Sequence, residues 1–196
     1  MNRELIFATS NAHKAREIQS LLPQGFRILT LKDAGLEMEI PEPFDTLEKN
    51  SYHKAETIYK LTGKDCFAED TGLEVAHLRG EPGVRSARYA GEPPDDQRNI
   101  AKLLSRLEGT SNRSARFKTV ITLILSGTVH SFTGICEGSI TTNPTGSNGF
   151  GYDPVFIPYH SNLTFAEMSL TEKNSYSHRK KALSSMIQFL NHYQNP

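Results

Sequence analysis

The sequence has few of the features that mark secreted or membrane-bound chains. Of its 196 residues only two are cysteine, Cys66 and Cys136, and both lie in apolar runs typical of strands. We therefore expect both to be small buried hydrophobic groups in a reducing compartment. No apolar run approaches the roughly 18 residues of a membrane span, and no signal-peptide hydrophobic region precedes the first strand-like run. These absences predict a cytoplasmic protein with no membrane partner.

The chain also lacks net charge and several common site motifs. Lys plus Arg and Asp plus Glu are equal at 22 each, which argues against a nucleic-acid partner. It has no Gly-x-x-x-x-Gly-Lys-Ser/Thr phosphate loop and no Gly-x-Gly-x-x-Gly after an early strand. Neither a zinc-type Cys/His spacing nor a Gly-x-Ser-x-Gly motif is found. The length suits a single domain, residues 1–196, with two lobes.

The stretch from Cys66 to Val75 indicates a strand that ends in a site. Apolar residues lead into Glu69 and Asp70, and Gly72 would let the chain turn sharply after them. The acids would then lie at a strand's carboxyl end, where open α/β sheets place their ligands. Because side chains alternate along a strand, the two carboxylates should point to opposite sides. A solvated acidic turn is the alternative interpretation.

Two upstream segments could bring positive charge to a phosphate. A first strand is predicted at 5–8, and the Ser/Thr/Asn-rich turn 9–14, ending in Lys14, follows it and opens a helix. Free helix N–H groups and the helix dipole bind anions at such a turn, although an ordinary helix cap is the alternative.

A second helix is predicted from Asp45, with a capping-box spacing to Glu48. Glu42 lies just ahead of it and Lys54 within it, where a solvated lysine is the alternative. The predicted inward stripe of this helix is Leu47, Ser51, Ala55 and Ile58.

Downstream, two β-rich runs and a glycine-rich segment follow. The runs 116–125 and 128–140, joined by Ser126-Gly127, predict a long hairpin, and hence a mixed sheet rather than a purely parallel one.

In 142–154, Phe150 and Tyr152 lie among three glycines beside Asp153, and we expect both rings to be poorly buried. An exposed aromatic with a nearby acid could recognise a base, since stacking contributes roughly 1–3 kcal/mol per base. Alternatively, Phe150 anchors the loop to the core.

The segment from Glu172 to Arg179 is predicted to open the last helix. Lys173, His178 and Arg179 would then lie at its positive end, where the helix dipole disfavours cations. A phosphate among these side chains would explain the placement, since Arg can bind it through two hydrogen bonds. A solvated charged face is the alternative. Cations for phosphate, carboxylates for magnesium and an aromatic for a base together describe a nucleoside triphosphate site.

At these residues the sequence resembles the inosine triphosphate pyrophosphatase family, the XTP/dITP diphosphatases. The resemblance runs nearly end to end. It implies an elongated mixed α/β fold with the nucleotide in a cleft between two lobes, a homodimer, and Mg²⁺-dependent hydrolysis of ITP, dITP and XTP to the monophosphate and pyrophosphate. The motifs that carry it are Thr9-Ser10-Asn11-Ala12-His13-Lys14, Asn50-Ser51-Tyr52-His53-Lys54-Ala55, Ala68-Glu69-Asp70-Thr71-Gly72-Leu73, 83–91, Gly149-Phe150-Gly151-Tyr152-Asp153-Pro154 and 172–179.

The resemblance also implies roles for single residues. Asp70 is the implied general base and a metal ligand, with Glu42 or Glu69 as the second ligand. Phe150 would stack on the base, Asp153 would read its edge, and His178 and Arg179 would sense the 6-oxo group. The full set of implied substrate contacts is Thr9, Ser10, Asn11, Ala12, His13, Lys14, Lys54, Thr71, Phe150, Gly151, Tyr152, Asp153, Lys173, His178 and Arg179.

Two departures from the family pattern and two rival functions remain. Ser10 stands where many members have Gly, and 145–149 replaces a shorter Gly-Thr-Gly pattern. Neither change affects a charged residue, so we expect them to alter selectivity more than activity. The rivals are a broader nucleotide pyrophosphatase, like the related septum inhibitors, and a nucleotide sensor without turnover. Retention of Glu69 and Asp70 argues against the sensor, which needs no acid to activate water.

Overall fold

Short buried strands and one long hairpin build the sheet. The structure, a computed structural model, describes residues 3–9, 15, 18, 19 and 21–194. The strands in this part of the chain are β1 (Arg3–Phe7), β2 (Phe26–Leu29), β3 (Cys66–Val75), β4 (Pro82–Gly83), β5 (Ser114–Leu125), β6 (Thr128–Ile140) and β7 (Phe156–Pro158). Their order is β2-β1-β3-β5-β6-β7, with β4 beside β3. β1 is parallel to β2 and β3, whereas β3–β4 and β6–β7 are antiparallel, so the predicted mixed α/β sheet is confirmed.

Four helices lie within the described residues: α1 (Leu47–Thr62), α2 (Asp96–Arg106), α3 (Leu170–Tyr176) and α4 (His178–Gln194). The helix predicted after the first strand falls mostly outside the described residues, although Ala15, Ile18 and Gln19 are helical. The inward stripe of α1 is confirmed, because all four predicted residues are buried. Gly63 ends α1 in a left-handed conformation with φ of 65°.

The start of α1 differs from the prediction. Thr46, not Asp45, is the N-cap, and its hydroxyl accepts the Lys49 N–H at 3.2 Å. Asp45 instead pairs with the Lys49 ammonium at 2.9 Å on the exposed surface. Both residues carry a capping oxygen, so sequence spacing alone could not decide which one takes the extended backbone of the cap.

The predicted turn at Gly72 is wrong. β3 continues through Gly72 to Val75, and Leu73 and Glu74 pair with Gly83 and Pro82 of β4. Extending the strand gives these residues backbone partners and buries Leu73 and Val75 completely. Glu69 and Asp70 therefore lie inside a strand and not at its carboxyl end.

The chain divides into two compact units. Unit 1 comprises Met1–Asp70, Val120–Thr133 and Lys181–Pro196. One side of its sheet packs Cys66 and Ala68 against Ala55 and Ile58 of α1. On the other side, Phe67 packs with α4, and the Phe7 and Phe67 rings stack at 4.5 Å. β1 is buried on both faces, as expected for a parallel strand covered by helices on both sides.

Unit 2 comprises Thr71–Thr119 and Gly134–Lys180. Its core joins the apolar face of α2 to aromatic side chains from β5, β7 and the segment after β7. Phe117 contacts Phe156 edge-on at 4.7 Å, and Phe156 contacts Phe165 at 5.1 Å. Ile100 and Leu103 of α2 lie in this core, together with Leu107, the residue that caps the end of the helix.

Two further predictions are confirmed. Ser126 and Gly127 both have positive φ, 50° and 78°, which is the type I′ geometry of a two-residue hairpin turn. Cys66 and Cys136 are buried free thiols. Burial raises the pKa of the Cys66 thiol to about 12, so it stays protonated at neutral pH. Among the described residues, no helix has the length and apolar character to span a membrane.

Candidate functional site

A lysine between two carboxylates forms the first candidate cluster, in unit 1. The Lys54 ammonium lies 2.5 Å from Glu42 Oε1 and 3.6 Å from Asp70 Oδ1. The side chains of Lys54 and Asp70 are only 11% and 10% exposed, so Lys54 is not the solvated lysine of the alternative interpretation. We call these three residues the acid–lysine cluster. Glu42 and Asp70 are 28 positions apart in sequence, and they meet because Lys54 of α1 lies beside both.

Two buried polar residues of α1 position this cluster. The Asn50 side chain accepts the Phe44 N–H at 2.9 Å and donates to the Phe44 carbonyl at 3.1 Å, which fastens the segment that carries Glu42. The Ser51 hydroxyl lies 3.2 Å from the Ala68 carbonyl, two residues before Asp70, and 2.8 Å from Thr122 Oγ1. Ser51 was predicted only as part of the inward stripe, and Asn50 had no predicted role in the site. The available signal was a pair of polar residues on the inward side of an amphipathic helix, where they need hydrogen-bond partners.

Glu42 and Asp70 are the residues of the acid–lysine cluster that could hold a metal ion. Glu42 and Asp70 already approach one positive group, and Mg²⁺ is usually held by one or two carboxylates plus substrate phosphates. Within the described residues, no group of three or more His, Cys, Asp or Glu is arranged to hold a metal by itself. Glu69 precedes Asp70 on β3, so its side chain leaves the opposite face of the strand.

The phosphate turn predicted after β1 is only partly described. Thr9 follows β1, and its carbonyl accepts the Leu31 N–H at 3.2 Å. This bond ties the end of β1 to the end of β2. The remaining predicted contacts of this turn lie outside the described residues: Ser10, Asn11, Ala12, His13 and Lys14.

A second cluster, in unit 2, presents an aromatic ring to solvent. Phe150 is 69% exposed, so it does not anchor its loop to the core. The Lys173 ammonium lies 5.0 Å from the centre of the Phe150 ring, a cation–π distance, and pairs with the buried Asp153 carboxylate. The same carboxylate accepts the Phe150 N–H at 2.9 Å. We call Phe150, Asp153 and Lys173 the aromatic platform.

The expectation that Tyr152 is poorly buried is wrong. Tyr152 is 4% exposed and packs in the core of unit 2. Its hydroxyl donates to the Ser86 carbonyl at 2.9 Å. Burial raises the pKa of this phenol, and the neighbouring Tyr89 and Asp96 add to the effect. Tyr152 therefore anchors the loop. The residues that bury it lie elsewhere in the sequence and not in the glycine-rich segment.

Two glycines of this loop offer a matched test of its geometry. Gly149 and Gly151 both have positive φ, 80° and 60°, but a Cβ at Gly149 would overlap Asp153 Oδ2, whereas a Cβ at Gly151 meets nothing within 4 Å. We expect Gly149→Ala to displace Asp153 and to lower the free energy of unfolding by more than Gly151→Ala, which carries only backbone strain of about 1 kcal/mol. Equal losses of unfolding free energy in the two variants, measured by urea unfolding, would contradict a defined Asp153 position.

The last helical segment differs from the prediction. Glu172 and Lys173 belong to the separate short helix α3, Ser177 interrupts the helix with ψ of 118°, and α4 begins at His178. Lys173 thus lies in the last turn of α3, where the helix dipole favours a cation. Only His178 and Arg179 lie at the start of a helix, where the dipole disfavours positive charge. A predicted single helix became two because Ser177 leaves the helical conformation, and its hydroxyl accepts the Lys180 N–H at 3.2 Å.

Three other predicted substrate contacts belong to unit 2: Thr71, His178 and Arg179. His178 is 9% exposed and stacks on Phe117 with 4.9 Å between ring centres and 11° between planes. Arg179, the next residue of α4, is half-buried. Thr71, the first residue of unit 2, shares a 2.7 Å hydroxyl hydrogen bond with Thr119 of β5. The structure thus groups Glu42, Lys54 and Asp70 in one unit and Phe150, Asp153 and Lys173 in the other.

Known proteins resemble this chain over almost its full length. A dITP/XTP pyrophosphatase of Flavobacterium johnsoniae is 52% identical over 187 residues, which cover 95% of this chain and 97% of that protein. The dITP/XTP pyrophosphatase of Bacillus subtilis is 42% identical over 96% of this chain and 97% of its own length. The solved structure of the Staphylococcus aureus Ham1 protein has a TM-score of 0.93 at 35% identity, covering 97% of this chain and 100% of that one. The model of the Ham1 family matches residues 5–189, and the chain belongs to the Ham1 family.

Proposed function

We propose that this chain hydrolyses the non-canonical purine nucleotides dITP, XTP and ITP to the nucleoside monophosphate and pyrophosphate. The observation that carries the proposal is its 52% identity, over 95% of its length, to a protein named dITP/XTP pyrophosphatase. The two clusters supply the chemistry that this reaction needs: carboxylates and a lysine for a phosphate chain, and an exposed aromatic ring for a base. Such an activity would remove deaminated purines from the nucleotide pool.

Asp70 is the proposed general base. In the reaction, a water oxygen attacks the α-phosphorus, the bond from that phosphorus to the oxygen bridging the β-phosphate breaks, and pyrophosphate leaves. Asp70 accepts the proton that the water loses, a role that typically contributes about 10²–10⁴-fold to a rate. The Lys54 ammonium, which pairs with Glu42 and lies 3.6 Å from Asp70 Oδ1, would bind phosphate oxygens beside Asp70.

Magnesium is the proposed cofactor, with Asp70 and Glu42 as its protein ligands. When bound there it would neutralise negative charge on the phosphates of the substrate. Glu42 is favoured over Glu69 because Glu42 and Asp70 approach the same ammonium, whereas Glu69 leaves the other face of β3. Glu69 stays the second candidate for this ligand position.

Base recognition is assigned to unit 2. Phe150 would stack on the purine, and its large exposed fraction and the neighbouring Lys173 support this role. His178 and Arg179 are the proposed sensors of the 6-oxo group that distinguishes ITP and XTP from ATP. Asp153 is the proposed reader of the base edge, in addition to its contacts with Lys173 and the Phe150 N–H.

Three further proposals rest on the resemblance and on the sequence. The phosphate turn 9–14 and Thr71 contact the substrate, the protein forms a homodimer, and it acts in the cytoplasm. The homodimer is directly testable by sedimentation at micromolar concentration, independently of any activity.

A substrate panel tests the proposed function. We would incubate the protein with ITP, XTP, dITP, GTP and ATP, each with and without Mg²⁺, and identify the phosphorus product of each reaction. Pyrophosphate from ITP, dITP and XTP, with slow turnover of GTP and ATP, is the expected result. Equal rates on all five nucleotides would favour a broader nucleotide pyrophosphatase, and tight binding of XTP without any product would favour the sensor.

A further inference from the structure

The loop that presents Phe150 is tied at three consecutive residues. Asp96 accepts the Gly151 N–H at 2.7 Å, the Tyr152 hydroxyl donates to the Ser86 carbonyl at 2.9 Å, and Asp153 pairs with Lys173. These partners come from three different segments of unit 2: the start of α2, the turn before it, and α3. Asp96 takes no part in the proposed chemistry, yet it holds the residue directly after Phe150.

These ties matter because the Phe150 ring is exposed. With 69% of the residue exposed, the ring gains little restraint from packing beyond its contact with Lys173, so the backbone on either side limits where the ring can lie. On its N-terminal side, the Phe150 N–H is held by Asp153; on its C-terminal side, the Gly151 N–H is held by Asp96. A ring that is already ordered avoids the entropy loss of ordering on binding, which is the basis of preorganised recognition.

We propose that Asp96 is a positioning residue for base recognition, whose carboxylate orders the loop so that the Phe150 ring is preset to stack on the purine. The inference rests on the proposed role of Phe150 in stacking. The carboxylate is well suited to this task, since a charged acceptor bonded to a backbone N–H makes a stronger hydrogen bond than a neutral one.

The neighbouring aspartate provides a matched control. Asp95 is the N-cap of α2 and accepts the Arg98 N–H at 2.9 Å, whereas Asp96 reaches Gly151. Both are exposed acids at the start of the same helix. Asp95→Ala therefore removes a helix cap and leaves the loop tie intact, and Asp96→Ala does the reverse. Asp96→Asn keeps an acceptor oxygen and serves as the conservative variant.

The first experiment needs no turnover. The sequence contains no tryptophan, so Phe150→Trp provides a single emitter on the loop. In this background, without nucleotide, we expect Asp96→Ala to lower the fluorescence anisotropy of the tryptophan and to raise its acrylamide quenching, while Asp95→Ala and Asp96→Asn stay near the parent. Unchanged anisotropy in Asp96→Ala, or an equal change in Asp95→Ala, would overturn the proposal.

The second experiment measures XTP hydrolysis with Phe150 in place. We expect Asp96→Ala to raise KM about 3- to 10-fold, as loss of one such hydrogen bond predicts, with kcat changed less than about twofold. Asp95→Ala should leave the KM near that of the parent. Asp96→Asn should have a KM much closer to that of the parent than to that of Asp96→Ala. A parent-like KM in Asp96→Ala would overturn the role in recognition even if the loop had loosened. If the protein hydrolyses none of the nucleotides, the proposed function fails, and the fluorescence experiment still decides whether Asp96 orders the loop.

Discussion

Replacing Asp70 with Asn is expected to lower kcat for XTP by about 10²–10⁴-fold while the nucleotide still binds. An amide has nearly the same shape as the carboxylate but does not take up a proton from water at neutral pH. The exchange leaves Lys54 paired with Glu42 at 2.5 Å, so no lysine is left without a counter-charge at this buried position. Pyrophosphate release at saturating XTP measures kcat, and equilibrium dialysis measures binding.

Glu69→Gln is the matched control for this experiment. Glu69 is the adjacent carboxylate on β3, but its side chain leaves the opposite face of the strand from Asp70. We expect Glu69→Gln to reduce kcat far less than Asp70→Asn. Parent-like kcat in Asp70→Asn would contradict its role as the base, and an equal loss in Glu69→Gln would show that the two acids act together.

Replacing Phe150 with Ala is expected to raise KM for XTP by about 5- to 150-fold, which corresponds to the roughly 1–3 kcal/mol that stacking contributes per base. The base is remote from the phosphorus that reacts, so the ring should stabilise the bound substrate and the transition state equally, and kcat should change little. Because Phe150 is 69% exposed, its removal leaves no core cavity, and the free energy of unfolding should stay close to that of the parent. Steady-state kinetics and urea unfolding measure the two effects.

Two conservative variants separate stacking from simple apolar contact. Phe150→Tyr keeps an aromatic face for the base and for Lys173, which lies 5.0 Å from the ring centre. Phe150→Leu keeps apolar volume without a π-face. We expect a KM near that of the parent for Tyr and an intermediate value for Leu. A parent-like KM in Phe150→Ala would exclude the stacking role.

The elements with a strong local pattern were predictable from the sequence. The stripe at 47, 51, 55 and 58 recurs with the helical period, and the β-rich runs on either side of Ser126-Gly127 meet the requirements of a hairpin. Gly63 ends α1 because glycine takes a positive φ at little cost. In each case the signal lies in residues close together in the chain.

Two of the incorrect predictions depended on partners distant in sequence. Gly72 could have formed a turn, but pairing with β4 extends β3 through it. Tyr152 was expected to be exposed because its own segment has few apolar residues, yet the core of unit 2 surrounds it and Ser86 receives its hydroxyl. The helix break at Ser177 has a local cause instead, because Ser177 leaves the helical conformation and its hydroxyl accepts the Lys180 N–H. Local propensity is overridden wherever tertiary partners stabilise another conformation more strongly.

The sequence by itself determined which chemistry is available, since that depends on residue type: carboxylates, lysines, an aromatic among glycines, and the order of the motifs that carry the family resemblance. Only the tertiary structure decided which of these groups meet. Glu42 joins Asp70 because α1 packs on β3 and places Lys54 beside both, whereas Glu69, adjacent to Asp70 in sequence, leaves the other face of the strand. Asp96 reaches Gly151, 55 positions away, for the same reason: side-chain contacts follow from how elements pack, and no local pattern encodes that packing.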